Sequence, residues 1–201
     1  MDDGAGRVAD RAAVRSAMAF HDRRHFLRRR DRWRAGEDRP LPIGHGQTNS
    51  QPATVEDMLA ALGVAPGHRI LDVGAGSGWT TALLAHLVGP HGSVIGIERV
   101  ERLTRRARAN LSARPGLTWA RIDQATPGVL GAPADAPFDR ILVSAAATAA
   151  VPAMLIEQLA QPGVMVIPVD QRLLRIRRTV GGDVETTELG AYRFVPLIAD
   201  R

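Results

Sequence analysis

The sequence lacks cysteine altogether, and this absence removes several kinds of chemistry from consideration. Without a thiol among its 201 residues, the chain has no disulfide bond, no thiolate nucleophile and no cysteine-ligated metal. Lysine is absent too, so all 26 basic residues are arginines. Together with the many alanines and glycines, this usage indicates a GC-rich coding bias rather than a chemical requirement. The missing cysteines are compatible with a cytoplasmic protein.

Long hydrophobic runs are also missing. No apolar stretch approaches the roughly 20 residues that span a bilayer, and residues 1–16 lack the apolar centre of a secretion signal. We therefore expect no membrane partner and a cytoplasmic location. Hydrophobic residues make up 45% of the chain, enough for a full core, and the length suits one domain spanning residues 1–201.

Positive charge is concentrated near the N-terminus. The net charge is only +5, but seven arginines lie between residues 23 and 34. Such a cluster can bind nucleic acid, or it can form a solvated helical face together with Asp22 and Asp31. The aromatic and base-reading side chains of a dedicated RNA-binding protein are not evident. We therefore favour the solvated face and expect no nucleic-acid partner.

Strand and helix patterns alternate along most of the chain. Helices are predicted over residues 7–20, 22–30, 53–62, 79–88, 100–113 and 152–160. Strands are predicted over residues 69–73, 93–98, 117–122, 138–143 and 164–169. The alternation predicts a doubly wound, Rossmann-like α/β sheet, mostly parallel, with helices on both faces.

The end of the chain follows a different pattern. Residues 172–178 alternate in polarity and Gly181-Gly182 supplies a turn, which predicts a C-terminal antiparallel hairpin. Further strands are predicted over residues 184–189 and 193–197. We divide the domain into N-terminal helices with a proline- and glycine-rich loop (1–51) and an α/β core (52–201).

The motif LDVGAGSGW at residues 71–79 is the strongest indication of a ligand. Gly74, Gly76 and Gly78 stand between a buried strand and the start of a helix, where glycines allow a tight turn and close approach of a ligand. Glu98 ends the next strand, where an acidic residue suits a ribose diol. The motif predicts a nucleotide-containing cofactor, and a glycine-rich turn without a ligand is the alternative.

Two cofactors compete for this site. NAD-binding folds use G-x-G-x-x-G, whereas the spacing here is G-x-G-x-G with Asp72 two residues before the first glycine. This arrangement resembles motif I of methyltransferases that use S-adenosylmethionine, in which the acidic residue lies near the amino-acid end of the cofactor. Asp123 follows the third strand, where such enzymes contact the adenine edge, although a turn or helix cap would explain it equally. The residues expected to bind S-adenosylmethionine, whose product is S-adenosylhomocysteine, are Asp72, Gly74, Ala75, Gly76, Ser77, Gly78, Glu98, Arg99, Asp123 and Gln124.

An unusual segment, PLPIGHGQTNSQP at residues 40–52, precedes this motif. It resembles the P-I-G-aromatic-G-Q-T-I-S-x-P signature of protein-L-isoaspartate O-methyltransferases. Similar stretches are VEDMLAALGVAPGHRILDVGAGSGW, FDRILVSAAA, LIEQLAQPGVMVIPV and RFVPL, so the resemblance covers most of the chain from about residue 40. It implies methylation of the α-carboxylate of L-isoaspartyl residues, which arise by aspartate isomerisation or asparagine deamidation. The ester then forms a succinimide, whose hydrolysis returns some normal aspartate and so repairs the protein.

The resemblance also assigns roles to single residues. An α-carboxyl group with a pKa of about 3.3–3.7 is already ionised at pH 7, so the site needs no general base and has only to align the carboxylate with the methyl donor. Ser50 corresponds to the active-site serine of the family and Thr48 to its partner, and these are the expected catalytic residues; capping of the next helix is an alternative role for Ser50. We expect His45, which replaces an aromatic residue, to line the site rather than act as a base. The expected peptide-binding residues are Ile43, Gly44, His45, Gly46, Gln47, Ser144, Ala145 and Ala146, and no metal is expected.

Several positions depart from the family pattern. Asn49 replaces the usual isoleucine, Gln124 replaces a glycine, and residues 147–151 lack the usual proline. These departures leave open a specialised peptide, small-molecule or RNA substrate, or a non-catalytic binding module that retains the fold. No coiled coil or long apolar patch is evident, so a monomer is expected.

Overall fold

The computed structural model describes residues 10–114 and 116–198, and within them one large sheet is flanked by helices. The helices are α1 (Arg11–Phe20), α2 (Pro52–Leu62), α3 (Trp79–Val88), α4 (Glu101–Ser112) and α5 (Ala153–Glu157). The strands are β1 (Leu41–Gly44), β2 (Gln47–Asn49), β3 (Arg69–Val73), β4 (Ser93–Glu98), β5 (Ala120–Gln124), β6 (Phe138–Val143), β7 (Leu159–Val169), β8 (Arg172–Arg178) and β9 (Val184–Ala191). Residues 7–9 of the first predicted helix lie outside the described part. No helix in the described residues has the length and hydrophobicity needed to span a bilayer.

Seven strands form one sheet in the order β5-β4-β3-β6-β7-β8-β9. The strands from β5 to β7 in this order are parallel, β8 is antiparallel to β7, and β9 is antiparallel to β8. The mostly parallel Rossmann-like sheet with a C-terminal antiparallel hairpin is thus confirmed. Because the chain adds β4 on one side of β3 and later β6 on the other, a crevice opens at the carboxyl ends of these strands.

Apolar side chains cover both faces of the central strands, which explains why β3 and β6 are nearly continuous hydrophobic runs. Ile70 of β3 packs in a core with residues of α2 and α3. The next residue, Leu71, packs with Leu155 of α5 in a second core on the opposite face. Two hydrophobic cores therefore fix the sheet between its helices.

The N-terminal arginine-rich segment and the ends of several predicted elements differ from expectation, including the strand predicted over residues 164–169, which begins at Leu159. Residues 22–30 were predicted as a helix, but two short 3-10 turns, Arg23–Phe26 and Arg29–Arg34, take their place. Clustered like charges disfavour a longer helix. The third strand begins at Ala120, not at residue 117. α5 ends at Glu157 because the chain pairs with β6 from Leu159 onward.

The strand predicted over residues 193–197 is wrong. This stretch forms only an isolated bridge between Pro196 and Ala146, and proline has no N–H to extend a ladder. Two hydrogen bonds still fix it, from Ala146 N to Val195 O (2.8 Å) and from Leu197 N to Ala146 O (2.7 Å). We call residues 192–198 the C-terminal segment. It lies against the carboxyl end of β6.

The proline- and glycine-rich segment forms a small antiparallel hairpin of β1 and β2. Its two turn residues, His45 and Gly46, have positive φ angles of 54° and 71°, as the tight turns of short hairpins require. Ile43 is buried and faces the glycine-rich turn: its Cδ1 would lie 3.2 Å from a Cβ on Gly76. The hairpin is therefore packed directly against the predicted cofactor turn.

Candidate active site

A cleft opens where β3, β4 and β6 end, bordered by the hairpin and by the C-terminal segment. Many of the residues predicted for the site line it, namely Gln47, Thr48, Ser50, Gly74, Ala75, Gly76, Ser77, Glu98, Arg99, Gln124, Ser144 and Ala145. The remainder, namely Ile43, Gly44, His45, Gly46, Asp72, Gly78, Asp123 and Ala146, lie outside its lining. The fold thus brings predicted cofactor and substrate residues to one edge of the sheet.

The glycine-rich turn after β3 forms the floor of the cleft. Gly74, Gly76 and Gly78 have φ angles of 82°, 57° and 85°, which side chains with a Cβ rarely adopt. Backbone N–H groups of Gly74 and Ala75 donate to Ile97 O at 2.9 and 3.0 Å and tie the turn to β4. Gly78 starts α3 outside the lining, where it allows the helix to approach α4. The glycines therefore shape the turn that forms the floor of the cleft.

Glu98 is held at the end of β4 by backbone donors. Its carboxylate accepts from Gly76 N at 2.9 Å and from Val100 N at 2.8 Å. Burial raises the pKa of Glu98, and the N–H groups of Val100, Gly76 and Arg99 oppose this rise because they favour the anion. A carboxylate fixed beside the turn can accept hydrogen bonds from a ribose diol.

Asp72 lies beneath the turn and reaches the cleft only through a neighbour. Its Oδ2 accepts from the hydroxyls of Thr80 (2.8 Å) and Thr81 (2.6 Å), and Thr80 lines the cleft. Its Oδ1 has no hydrogen-bond partner in the part of the chain that the structure describes. Complete burial raises the pKa of Asp72 to about 6, against the effect of the two hydroxyl donors. The structure therefore places this acid as a support of the turn, and its contact with the cofactor stays a prediction.

The far end of the cleft is formed after β5. Gln124 accepts from Thr104 Oγ1 at 2.8 Å and donates from Nε2 to Arg99 O at 2.6 Å. These contacts fix Gln124 at the cleft. Asp123 lies outside it, where its carboxylate accepts from Arg121 Nε at 2.7 Å. Gln124 is thus better placed than Asp123 to meet an adenine edge.

Three hydroxyl groups stand where the cleft joins a second cavity. Thr48, Ser50 and Ser144 line both spaces, and the second one is closed by Tyr192 to Val195 of the C-terminal segment. None of the three hydroxyls donates or accepts a hydrogen bond within the described residues. They therefore remain available to a group that bridges the two cavities.

The hairpin residues predicted to bind peptide have different positions. His45 is exposed at the hairpin tip, and Gln47 Nε2 donates to its carbonyl at 3.4 Å. Ile43 and Gly44 are buried beneath the hairpin, and a Cβ on Gly44 would collide with Arg28. Ala146 is occupied by its hydrogen bonds to the C-terminal segment. Their roles in peptide binding stay predictions. The described residues contain no cluster of His, Asp and Glu that could hold a metal.

Some lining residues were missed by sequence reasoning. Trp79 and Thr80 begin α3, and Thr126 and Pro127 belong to the loop after β5. Val195–Ile198 of the C-terminal segment also line the cleft, although RFVPL was used only as a sign of resemblance. Proline and glycine after a strand mark a loop at the ligand-binding edge, which was the available signal for Pro127.

Comparison with known proteins agrees with this geometry. A family profile described as "Protein-L-isoaspartate(D-aspartate) O-methyltransferase (PCMT)" matches residues 4–201. A protein-L-isoaspartate O-methyltransferase of Methanopyrus kandleri is 42% identical over 93% of this chain and 84% of its own length. One from Anaeromyxobacter dehalogenans is 47% identical over 94% of this chain and 90% of its own.

Solved structures give the same result. A crystal structure from Plasmodium falciparum, described as a protein-L-isoaspartate O-methyltransferase in complex with S-adenosyl-L-homocysteine, superposes with a TM-score of 0.80. The two chains are 25% identical, and the match covers 100% of this chain and 93% of the other. The family profile matches almost the whole chain, and the two relatives are 42% and 47% identical to it over more than nine-tenths of its length. The chain therefore belongs to the protein-L-isoaspartate(D-aspartate) O-methyltransferase family.

Proposed function

We propose that the protein transfers a methyl group from S-adenosylmethionine to the free α-carboxylate of L-isoaspartyl residues in peptides and damaged proteins. The observation that carries this proposal is the junction of the two cavities at Thr48, Ser50 and Ser144. A carboxylate arriving through the second cavity meets hydroxyl donors at the border of the cofactor cleft. Membership of the family supports this substrate, and the hydroxyl groups at the junction are suited to bind its carboxylate.

The residues of the cleft fit S-adenosylmethionine. Glu98 supplies a fixed carboxylate for the ribose hydroxyls, Gln124 supplies a polar edge for the adenine, and the backbone of Gly74–Ser77 supplies the floor. When bound, the cofactor supplies an electrophilic methyl carbon on a positively charged sulfur. The same residues would hold S-adenosylhomocysteine after transfer.

The protein has little chemistry to perform beyond alignment. A carboxylate oxygen of the substrate forms a bond to the methyl carbon while the carbon–sulfur bond breaks, which yields a methyl ester and S-adenosylhomocysteine. Because the α-carboxyl group is ionised at pH 7, no proton has to be removed. The hydroxyls of Ser50 and Thr48 orient the attacking carboxylate, and the packed hairpin limits access of water. A catalytic base at the exposed His45 is not required.

The decisive assay is transfer of labelled methyl groups to paired peptides that differ only in one isoaspartyl or aspartyl residue. We expect base-labile label, released as methanol, on the isoaspartyl peptide alone. Label on neither peptide, in the presence of normal cofactor binding, would contradict the proposal and favour a specialised substrate. Binding of NAD instead of S-adenosylmethionine would contradict it more fundamentally.

Ser50→Ala tests the assignment of the hydroxyl. Loss of a hydrogen bond to a charged group is worth about 1.5–3 kcal/mol, so turnover should fall by roughly 10- to 100-fold. Affinity for S-adenosylhomocysteine should stay near that of the wild type. Ser112→Ala, an exposed serine at the end of α4, is the matched control. Full turnover by Ser50→Ala with normal cofactor binding would remove Ser50 from the mechanism.

Monomeric state, cytoplasmic location and the absence of a nucleic-acid partner stay predictions. The departures at Asn49 and residues 147–151 bear on which peptides are accepted, and the departure at Gln124 bears on the adenine end of the cofactor cleft. None of them removes a hydroxyl from the junction.

A further inference from the structure

Arg23 is a buried cation that donates hydrogen bonds to the end of the β1–β2 hairpin. It is 3% exposed, and no carboxylate among the described residues forms an ion pair with it. Instead its guanidinium donates to Asn49 O (2.9 Å), Ser50 O (2.8 Å) and Asn49 Oδ1 (2.6 Å). Two further bonds run to the carbonyls of Glu37 and Arg39. Burying a charge is costly unless hydrogen bonds compensate, and these bonds fix the end of the hairpin to Arg23.

Asn49 continues the contact from the hairpin to the cofactor turn. While its Oδ1 accepts from Arg23, its Nδ2 donates to Ser77 Oγ at 3.1 Å. Asn49 and Ser77 are 5% and 2% exposed, so water does not compete for these bonds. The orientation of the amide is fixed because Arg23 can only donate. A single side chain therefore connects the backbone beside Ser50 to the turn that floors the cleft.

The connection depends on the chemistry of the asparagine side chain. An apolar residue such as isoleucine at position 49 could neither accept from Arg23 nor donate to Ser77. With Asn49, a movement of the turn at Ser77 changes the bond to Nδ2, and through it the position of the Asn49 and Ser50 carbonyls. When a ligand fills the cleft and fixes the turn, less freedom remains to be lost when the peptide binds.

We propose that Asn49 is a positioning residue that couples the two sites, so that an occupied cofactor cleft strengthens binding of the isoaspartyl peptide at Ser50. This inference rests on the proposed function. Thermodynamic coupling is reciprocal, so peptide also strengthens binding of S-adenosylhomocysteine by the same factor. Ser77 and Arg23 are the two ends of the contact.

Coupling is measured as the ratio of two dissociation constants of a fluorescently labelled isoaspartyl peptide, without and with saturating S-adenosylhomocysteine. No methyl group is available with this ligand, so anisotropy reports binding alone. Asn49→Leu and Ser77→Ala break the same bond from opposite sides, and the second variant serves if the first fails to fold. Asn110→Leu is the matched control because Asn110 Nδ2 donates to the carbonyl of Ser77 from α4, at 2.9 Å, without touching the hairpin.

The wild type should show a ratio of roughly tenfold, within the ordinary range of coupled sites. Asn49→Leu and Ser77→Ala should each lower it to less than about twofold, and the double variant should lower it no further because one bond is involved. Asn110→Leu should keep the wild-type ratio even where its affinity for S-adenosylhomocysteine falls.

Three results would overturn the inference even if methyl transfer continues. The first is a coupling ratio of unity in the wild type, and the second is an unchanged ratio in Asn49→Leu and Ser77→Ala. The third is an equal loss of the ratio in the control variant Asn110→Leu. Failure of the wild type to bind or methylate isoaspartyl peptide would instead remove the proposed function, and the inference with it.

Discussion

The buried carboxyl group of Asp72 should make the ligand-free protein less stable than its asparagine variant at neutral pH. Burial raises the pKa of Asp72 from its ordinary 3.8 to about 6. At about 1.4 kcal/mol per pH unit, keeping this group ionised in the folded state costs roughly 3 kcal/mol. Asp72→Asn can still accept from Thr80 and Thr81 but carries no charge. The variant should therefore gain up to roughly 3 kcal/mol in free energy of unfolding at pH 8.

The pH dependence of stability distinguishes this charge effect from other effects of the substitution. Below about pH 4 the carboxyl group is protonated in both folded and unfolded chains, and it imposes no charge penalty. Between about pH 4 and 6 the unfolded chain ionises first, so the wild type loses stability as pH rises. Above this window the penalty is constant. The advantage of Asp72→Asn should consequently grow by roughly 3 kcal/mol between pH 4 and 8.

Urea denaturation across this pH range measures the difference directly. Asp123→Asn, which removes a partly exposed carboxylate, controls for the loss of one negative charge. A stability difference that is the same at pH 4 and pH 8 would refute the reasoning, as would a variant less stable than the wild type at pH 8.

Three further outcomes are expected. Gly78→Ala should lower the free energy of unfolding, measured by urea titration, by about 1–3 kcal/mol. Gly78 has a φ of 85°, and the Cβ of an alanine there would lie 3.2 Å from Ala107 O. Unchanged stability would show that α3 can shift. Glu98→Gln should weaken S-adenosylhomocysteine binding in calorimetry by roughly 10- to 100-fold. Gly76 N and Val100 N donate to different carboxylate oxygens, and in the variant one of these donors would face the amide NH2 group. Wild-type affinity would contradict a ribose contact. Tyr192→Phe should cost about 0.5–1.5 kcal/mol of stability by removing the 2.9 Å bond to Asp57, and an equal loss in an Asp57→Ala background would argue against that bond.

The central strands and helices were predictable because local patterns determine them. The predicted boundaries of β3, α3, β4, β6 and β8 agree with the structure at both ends. Each is a strand with a clear pattern of buried apolar residues or a helix bounded by glycine, and the same side chains that define the pattern fill the core. The cleft followed from the fold, because parallel strands place their carboxyl ends together.

Long-range contacts were not predictable from such patterns. Residues from Leu159 join β7 because Leu159 pairs with Phe138, twenty-one positions earlier in the chain. Arg23 belonged to a cluster predicted as a solvated face, yet it is 3% exposed and bonded to the hairpin. The sequence pattern does not distinguish Arg23 from its neighbours, because the carbonyl groups that accept from it belong to residues far along the chain, such as Asn49 and Ser50.

In the site, too, the parts fixed by local sequence could be predicted and the parts fixed by long-range contacts could not. The glycine turn and Glu98 could be located from spacing alone, since backbone geometry fixes them within one strand–helix unit. The hydroxyl junction needed the resemblance of PLPIGHGQTNSQP, because β1 and β2 pair with each other and not with the main sheet. Asp72 was assigned to the cofactor by its place in the motif, and the structure puts two threonines around it.

The C-terminal segment contains no helix or strand, yet it forms part of the cleft. A protease that cut after Ala191 would leave every strand of the described residues and the buried side chains of both cores in place, and would remove Tyr192, Phe194 and Leu197, which pack against those cores. Circular dichroism, which reports secondary structure, would register little change. The same cut would remove Val195–Leu197, which close one side of the cleft and bond to Ala146. A preparation trimmed in this way would pass a folding test and fail a turnover test, so intact mass should be verified before any loss of activity is attributed to a substitution.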